Sequence, residues 1–96
     1  AAASADDAGL DAVIHECLRF QPVAGMLVRR TPAGGCPLGS VNLDPRSLVC
    51  DLTAVASRHP ASFPQPDAFR TDRTAASYLT FGAGPHACAG AWLALL

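Results

Sequence analysis

Phe81-Gly82-Ala83-Gly84-Pro85-His86-Ala87-Cys88-Ala89-Gly90 is the stretch on which the reading of this 96-residue chain turns. It is a glycine-punctuated loop that delivers one cysteine to the start of an apolar segment, Ala91-Trp92-Leu93-Ala94. Gly82, Gly84 and Gly90 offer backbone freedom and a close approach that side chains would forbid. Pro85 stiffens the middle. A sulfur at the head of a helix faces the free N–H groups of its first turn, which favour a thiolate over a thiol. A soft thiolate on a flat glycine loop suits iron or copper as an axial ligand to a planar metal cofactor. The same residues also read, more simply, as a buried structural cysteine beside a glycine turn.

The rest of the composition narrows the field. Half of the residues are hydrophobic and the formal net charge is −1. All seven basic residues are arginines spread along the chain, so no basic stripe points to nucleic acid. No apolar run approaches the length of a membrane span, and Ala1-Ala2-Ala3-Ser4-Ala5 lacks the layout of a signal peptide. Cys17, Cys36, Cys50 and Cys88 form no C-x-x-C pair, which argues against structural zinc. A cysteine that must stay reduced to act as a ligand fits a cytoplasmic setting. Residues 91–96 are apolar nearly all round, as in a buried helix, and the chain reads as a piece of something longer.

Upstream, Ser4 or Asp6 is placed to cap a helix running to about Arg19. Leu10, Val13, Ile14, Cys17 and Leu18 fall on one stripe, the expected buried face. Glu16 and Arg19 lie on the other side, three apart and within reach of each other. By themselves they read as an exposed pair contributing a few tenths of a kcal/mol. Pro22 ends the helix. Residues 25–31 read as a strand, 32–39 as a turn, and 41–43 and 47–50 as short strands, plausible hairpin arms. Residues 51–57 read as one or two helical turns with Asp51 as a cap. From His59 to Arg73, Pro60, Pro64 and Pro66 break any periodicity.

With every position of F-G-x-G-x-H-x-C-x-G filled, the loop resembles the haem-binding loop of the cytochromes P-450. Glu16-x-x-Arg19 resembles the pair on that family's helix K. Phe63-Pro64-Gln65-Pro66-Asp67-Ala68-Phe69 resembles the F-x-x-P-x-x-F wording of its meander. The resemblance implies the C-terminal part of that fold, mostly α with small β hairpins and incomplete. Its parts would be helix K at 11–21, β segments at 25–50, meander at 58–80, the haem-thiolate loop at 81–90 and a truncated helix L at 89–96.

It also implies roles. Cys88 would be the proximal ligand to the iron of haem b (iron protoporphyrin), where a thiolate pushes electron density onto the metal and favours O–O heterolysis. Phe81 would shield the sulfur, while Gly82, Gly84 and Gly90 would let the loop lie against the macrocycle. His86, the form familiar among soluble bacterial members, and Arg29 would meet the propionates, Arg30 being the weaker candidate. Glu16, Arg19 and Arg73 would form a structural network locking the meander to helix K. Arg58-His59-Pro60 stands where the family often has R-D-P, so any contact made by that acid is lost.

The implied activity is that of a haem-thiolate monooxygenase, in which one atom of dioxygen enters a small organic substrate. Its electrons would come from a ferredoxin or flavoprotein docking near residues 83–87. Two other readings stand beside it. One is a peroxygenase or hydroperoxide isomerase of the same fold, and the other is a non-catalytic haem-binding remnant. Apart from the iron ligand, no catalytic residue is expected in this stretch.

Overall fold

The computed structural model describes residues 5–74 and 78–95. Helix α1 spans Ala5–Phe20. It closes where Gln21 N–H donates to the Cys17 carbonyl at 2.8 Å, and Pro22 has no N–H with which to continue. Of the two expected caps, Ser4 lies outside the described residues and Asp6 stands within the helix.

Four short strands follow as one antiparallel pair nested inside another. Strand β1 (Leu27–Arg30) pairs with β4 (Leu48–Asp51), Leu27 opposite Asp51 and Arg30 opposite Leu48. Between them, β2 (Cys36–Leu38) pairs with β3 (Val41–Leu43) across Gly39-Ser40, where Gly39 takes φ 58°. Cys36–Leu38 therefore belongs to a strand, not to the turn read from its glycines and prolines. Pro37 is tolerated because a two-stranded ladder is all edge. Thr31, itself buried, ties the two pairs together. Its hydroxyl donates to the Asp44 carbonyl at 2.6 Å and accepts from Ser47 N–H at 2.8 Å.

Helix α2 is a single turn, Thr53–Ala56. Its N-cap is Leu52, with no side-chain cap, and Asp51 is spent as the last residue of β4. Residues 57–74 contain no regular element among the described residues and wrap back over α1. A 3₁₀ turn, Gly84–His86, precedes the short helix α3, Ala91–Ala94.

On α1 the charged pair is more deeply buried than the apolar stripe. Leu10 and Val13 are 57% and 40% exposed and Cys17 is exposed, whereas Glu16 and Arg19 are at 0% and 1%. Residues 57–73 cover the charged side of the helix, while Leu10, Val13 and Cys17 of the apolar stripe stay exposed and Ile14 and Leu18 are half-buried. Phe63 is the buried apolar side chain among the described residues. The terminal helix is open too, with Trp92 and Leu93 well exposed. The radius of gyration, 15.9 Å, exceeds the about 12.5 Å expected of a close-packed domain of this length. The chain is thus organised around an ionic centre with its apolar surface turned outward.

Candidate functional site: a buried carboxylate and a cysteine loop

The ionic centre starts from Glu16. Its Oε2 accepts Arg19 Nε at 2.8 Å and the Tyr78 hydroxyl at 2.8 Å. Its Oε1 accepts Arg19 Nη2 at 2.7 Å, the Arg70 backbone N–H at 2.9 Å and Arg73 Nε at 3.3 Å. Burial alone would push this carboxyl up. The donors from Arg19, the Arg70 backbone, Tyr78 and Arg73 outweigh that and hold it at about 2. Tyr78 moves the other way, pushed up to about 12 by burial and by its bond to the neighbouring carboxylate.

One carboxylate does not satisfy two guanidiniums, and the meander supplies the rest as carbonyl dipoles. Arg19 Nη1 donates to Ser57 O at 3.0 Å and Pro66 O at 2.7 Å, and Nη2 to Ala68 O at 3.2 Å. With the two bonds to Glu16, all five N–H donors of Arg19 are used. Arg73 donates to the carbonyls of Pro64 at 2.7 Å, Gln65 at 2.9 Å and Ala68 at 3.2 Å. Gln65 reaches this arrangement with φ 53°, a left-handed angle rare for a side-chain-bearing residue. Aromatic faces close the cage: Arg19 lies 4.4 Å from the Phe20 ring centroid and 5.3 Å from that of Phe63.

Glu16 is thus in direct contact with both Arg19 and Arg73. Sequence reasoning missed Tyr78, the Arg70 backbone amide and His15. The one signal for Tyr78 was chemical: it is the chain's single tyrosine, and a partly buried phenol needs a partner.

The cysteine loop stands beyond this centre. Gly82 and Gly84 both have φ 72°, so side chains there would be strained. Gly90 does not share this property: its φ of −91° is open to any residue, and it serves as the N-cap of the helix that follows. Cys88 is exposed and unpaired in any disulfide. Its N–H donates to the Phe81 carbonyl at 2.7 Å, and its own carbonyl accepts Ala91 N–H at 3.2 Å. Helix α3 begins only at Ala91, with Gly90 as N-cap, so the sulfur precedes the helix and does not sit in its first turn. His86 is exposed at the end of the 3₁₀ turn. Phe81 is half-buried, its ring edge-on to His15 at 5.8 Å. Arg29 is exposed on β1 and donates to the neighbouring Val28 carbonyl, and Arg30 reaches Arg46 O at 2.9 Å.

These residues fit a haem. A lone thiolate cannot cage a bare ion, and no group of three His, Cys, Asp or Glu capable of doing so occurs among the described residues. A metal already held by a macrocycle needs only one protein ligand, and Cys88 offers it from an exposed loop. A Cβ built on Gly84 would meet nothing within 4 Å, which leaves open space beside the loop.

A family model for Cytochrome P450 matches residues 9–96. Cytochrome P450 monooxygenase PikC of Streptomyces venezuelae is 35% identical over 96 residues, covering the whole of this chain and 23% of PikC. Cyclooctatin synthase of Streptomyces melanosporofaciens is 40% identical over 87 residues, covering 81% of this chain and 19% of that protein. Among solved structures, econazole-bound CYP164A2 of Mycobacterium smegmatis superposes with a TM-score of 0.81 at 33% identity, over 95% of this chain and 22% of that one. The chain belongs to the cytochrome P450 family. It spans under a quarter of the length of these relatives. Its fold is a fragment of theirs, helices with small β hairpins, and haem is the cofactor the family implies. No helix among the described residues is long and apolar enough to cross a membrane.

Proposed function

We propose that this chain is the thiolate-bearing part of a haem monooxygenase that transfers one atom of dioxygen to a small organic substrate. The observation that carries the reading is the state of Cys88. It is an exposed, disulfide-free sulfur on a loop pinned at Phe81 O and Ala91 N–H, in a chain of this family. Names of relatives such as PikC monooxygenase and beta-dihydromenaquinone-9 omega-hydroxylase support oxygenation as the reaction class.

When bound, the haem would supply dioxygen activation, and the Cys88 sulfur would hold its iron and donate electron density to it. What the chain contributes is placement. Cys88 would hold the iron, and Phe81 would keep water from the sulfur. Arg29, which carries a fixed positive charge, and His86 would meet the propionates. Glu16, Arg19 and Arg73 touch no reacting atom. They hold residues 57–73 against α1, and so fix the frame from which the loop departs. The electron donor, a ferredoxin or flavoprotein, would dock on the exposed backbone around residues 83–87.

The experiment is the absorption spectrum of the ferrous–carbon monoxide complex in the full-length protein, which separates thiolate from thiol or histidine ligation. Cys88→Ser abolishes the thiolate band if the assignment holds. An unchanged spectrum in that variant refutes it.

A further inference from the structure

The buried carboxylate and the cysteine loop are joined through Tyr78 and His15, two side chains with no role assigned above. Tyr78 gives its hydroxyl proton to Glu16 Oε2 at 2.8 Å, while its ring stacks on His15 at 5.1 Å with 24° between planes. Phe63 also packs against Tyr78, its ring tilted by 48° at 5.6 Å. Three residues on, Phe81 meets the same His15 edge-on, at 5.8 Å and 75°. Phe81 then accepts the Cys88 N–H at 2.7 Å, and Gly82 N–H returns to the Leu79 carbonyl at 2.9 Å. An unbroken series of contacts therefore runs from Glu16 to the Cys88 amide.

We propose that Tyr78 and His15 are positioning residues for Cys88. Tyr78 is fixed at one end by the carboxylate and at its face by the imidazole, and together they hold Phe81, whose carbonyl sets the Cys88 backbone. His15 meets both Tyr78 and Phe81 through its ring, and its Nδ1 has no hydrogen-bond partner among the described residues. A phenyl ring should therefore replace it. The consequence at iron rests on the haem-thiolate reading, but the placement of the Cys88 amide does not.

The test is amide hydrogen exchange at Cys88 in the full-length haem-loaded protein, read with the ferrous–carbon monoxide band. Tyr78→Phe, which removes one hydroxyl, and His15→Ala each speed Cys88 exchange about tenfold, by opening the loop locally. Both also reduce the fraction of iron showing the thiolate band. His15→Phe leaves both readouts at the parental value. Thr31→Val, in the strand region, lowers global stability without a selective change at Cys88. Unchanged Cys88 exchange in Tyr78→Phe overturns the proposal, as does a His15→Phe protein that behaves like His15→Ala. Should Tyr78→Phe fail to fold, the His15 pair decides. If Cys88→Ser leaves the spectrum intact, the haem reading fails while the exchange result still judges the positioning.

Discussion

Arg73 Nε lies 3.3 Å from Glu16 Oε1 across 57 residues of chain, and this contact closes the meander onto the first helix. Glu16→Gln removes the carboxylate that two nearly buried guanidiniums share. The expected loss of folding stability in the full-length protein is about 3–5 kcal/mol, read by denaturant titration. A loss below about 1 kcal/mol would mean that the carbonyl cage alone holds the arginines.

Arg19→Lys should fare little better than Arg19→Ala. All five N–H donors of Arg19 are engaged, three of them on the carbonyls of Ser57, Pro66 and Ala68. An ammonium has three donors and no planar fork, so at least two of the five bonds are lost. The two variants, compared by thermal unfolding, are expected to fall within about 1 kcal/mol of each other. A lysine variant with parental stability would show that charge, not geometry, is what the site requires.

The same centre sets a pH window. Glu16 is held at about 2 against an ordinary 4.5, so the ionised form is the one the fold prefers. Its contribution is complete above pH 4.5 and is lost as pH falls from 4.5 toward 2, about 3 kcal/mol in all. Tyr78 is raised from 10.0 to about 12, so its neutral form is preferred. That contribution is present below pH 10 and disappears as pH rises toward 12. Tyr78→Phe should flatten the alkaline limb and leave most of the acid limb, because the arginine donors to Glu16 remain. An alkaline limb unchanged in that variant would remove Tyr78 from the pH account.

The cysteine loop was legible because its residue types are dictated by local demands: two glycines at φ 72°, a proline, and a lone sulfur. The fate of Glu16 and Arg19 was not legible from helical periodicity. A stripe predicts which face is apolar, not which face is covered, and here the meander covers the charged one. Tyr78 escaped notice because its partner stands 62 residues away and no local pattern connects them. Cys36–Leu38 was lost to its flanking glycines and Pro37, which mark a turn in isolation but sit on an edge ladder in the fold. Asp51 was misread as a cap because a strand end and a helix start meet within two residues.

Two left-handed backbone positions outside the cysteine loop give opposite expectations. Gly35 has φ 74°, and a Cβ there would stand 2.6 Å from the Leu43 carbonyl, a backbone atom that cannot swing aside. Gly35→Ala should cost about 1–3 kcal/mol. Gln65 already bears the left-handed penalty, at φ 53°, to aim its carbonyl at Arg73. Gln65→Gly relieves that strain but gives up the side-chain bond from Arg70 at 3.1 Å. A change within about 1 kcal/mol of zero is expected, whereas a β-branched residue there should cost more. Thermal unfolding of the three variants checks the order, and a tolerated Gly35→Ala would contradict the close approach.

The outward-facing apolar surface leads to the last expectation. Leu10 at 57%, Trp92 at 68% and Leu93 at 63% exposure are large side chains left open in a chain that spans 23% of PikC. In the full-length protein the remaining residues would cover them, so Leu10→Asp there should cost about 2–3 kcal/mol. In a polypeptide of these 96 residues alone, the same groups face water, a state that favours association. Such a polypeptide should bind a hydrophobic dye and elute as an oligomer, and Leu10→Asp should reduce both effects. A monodisperse, dye-silent 96-residue protein would show that its apolar face needs no cover.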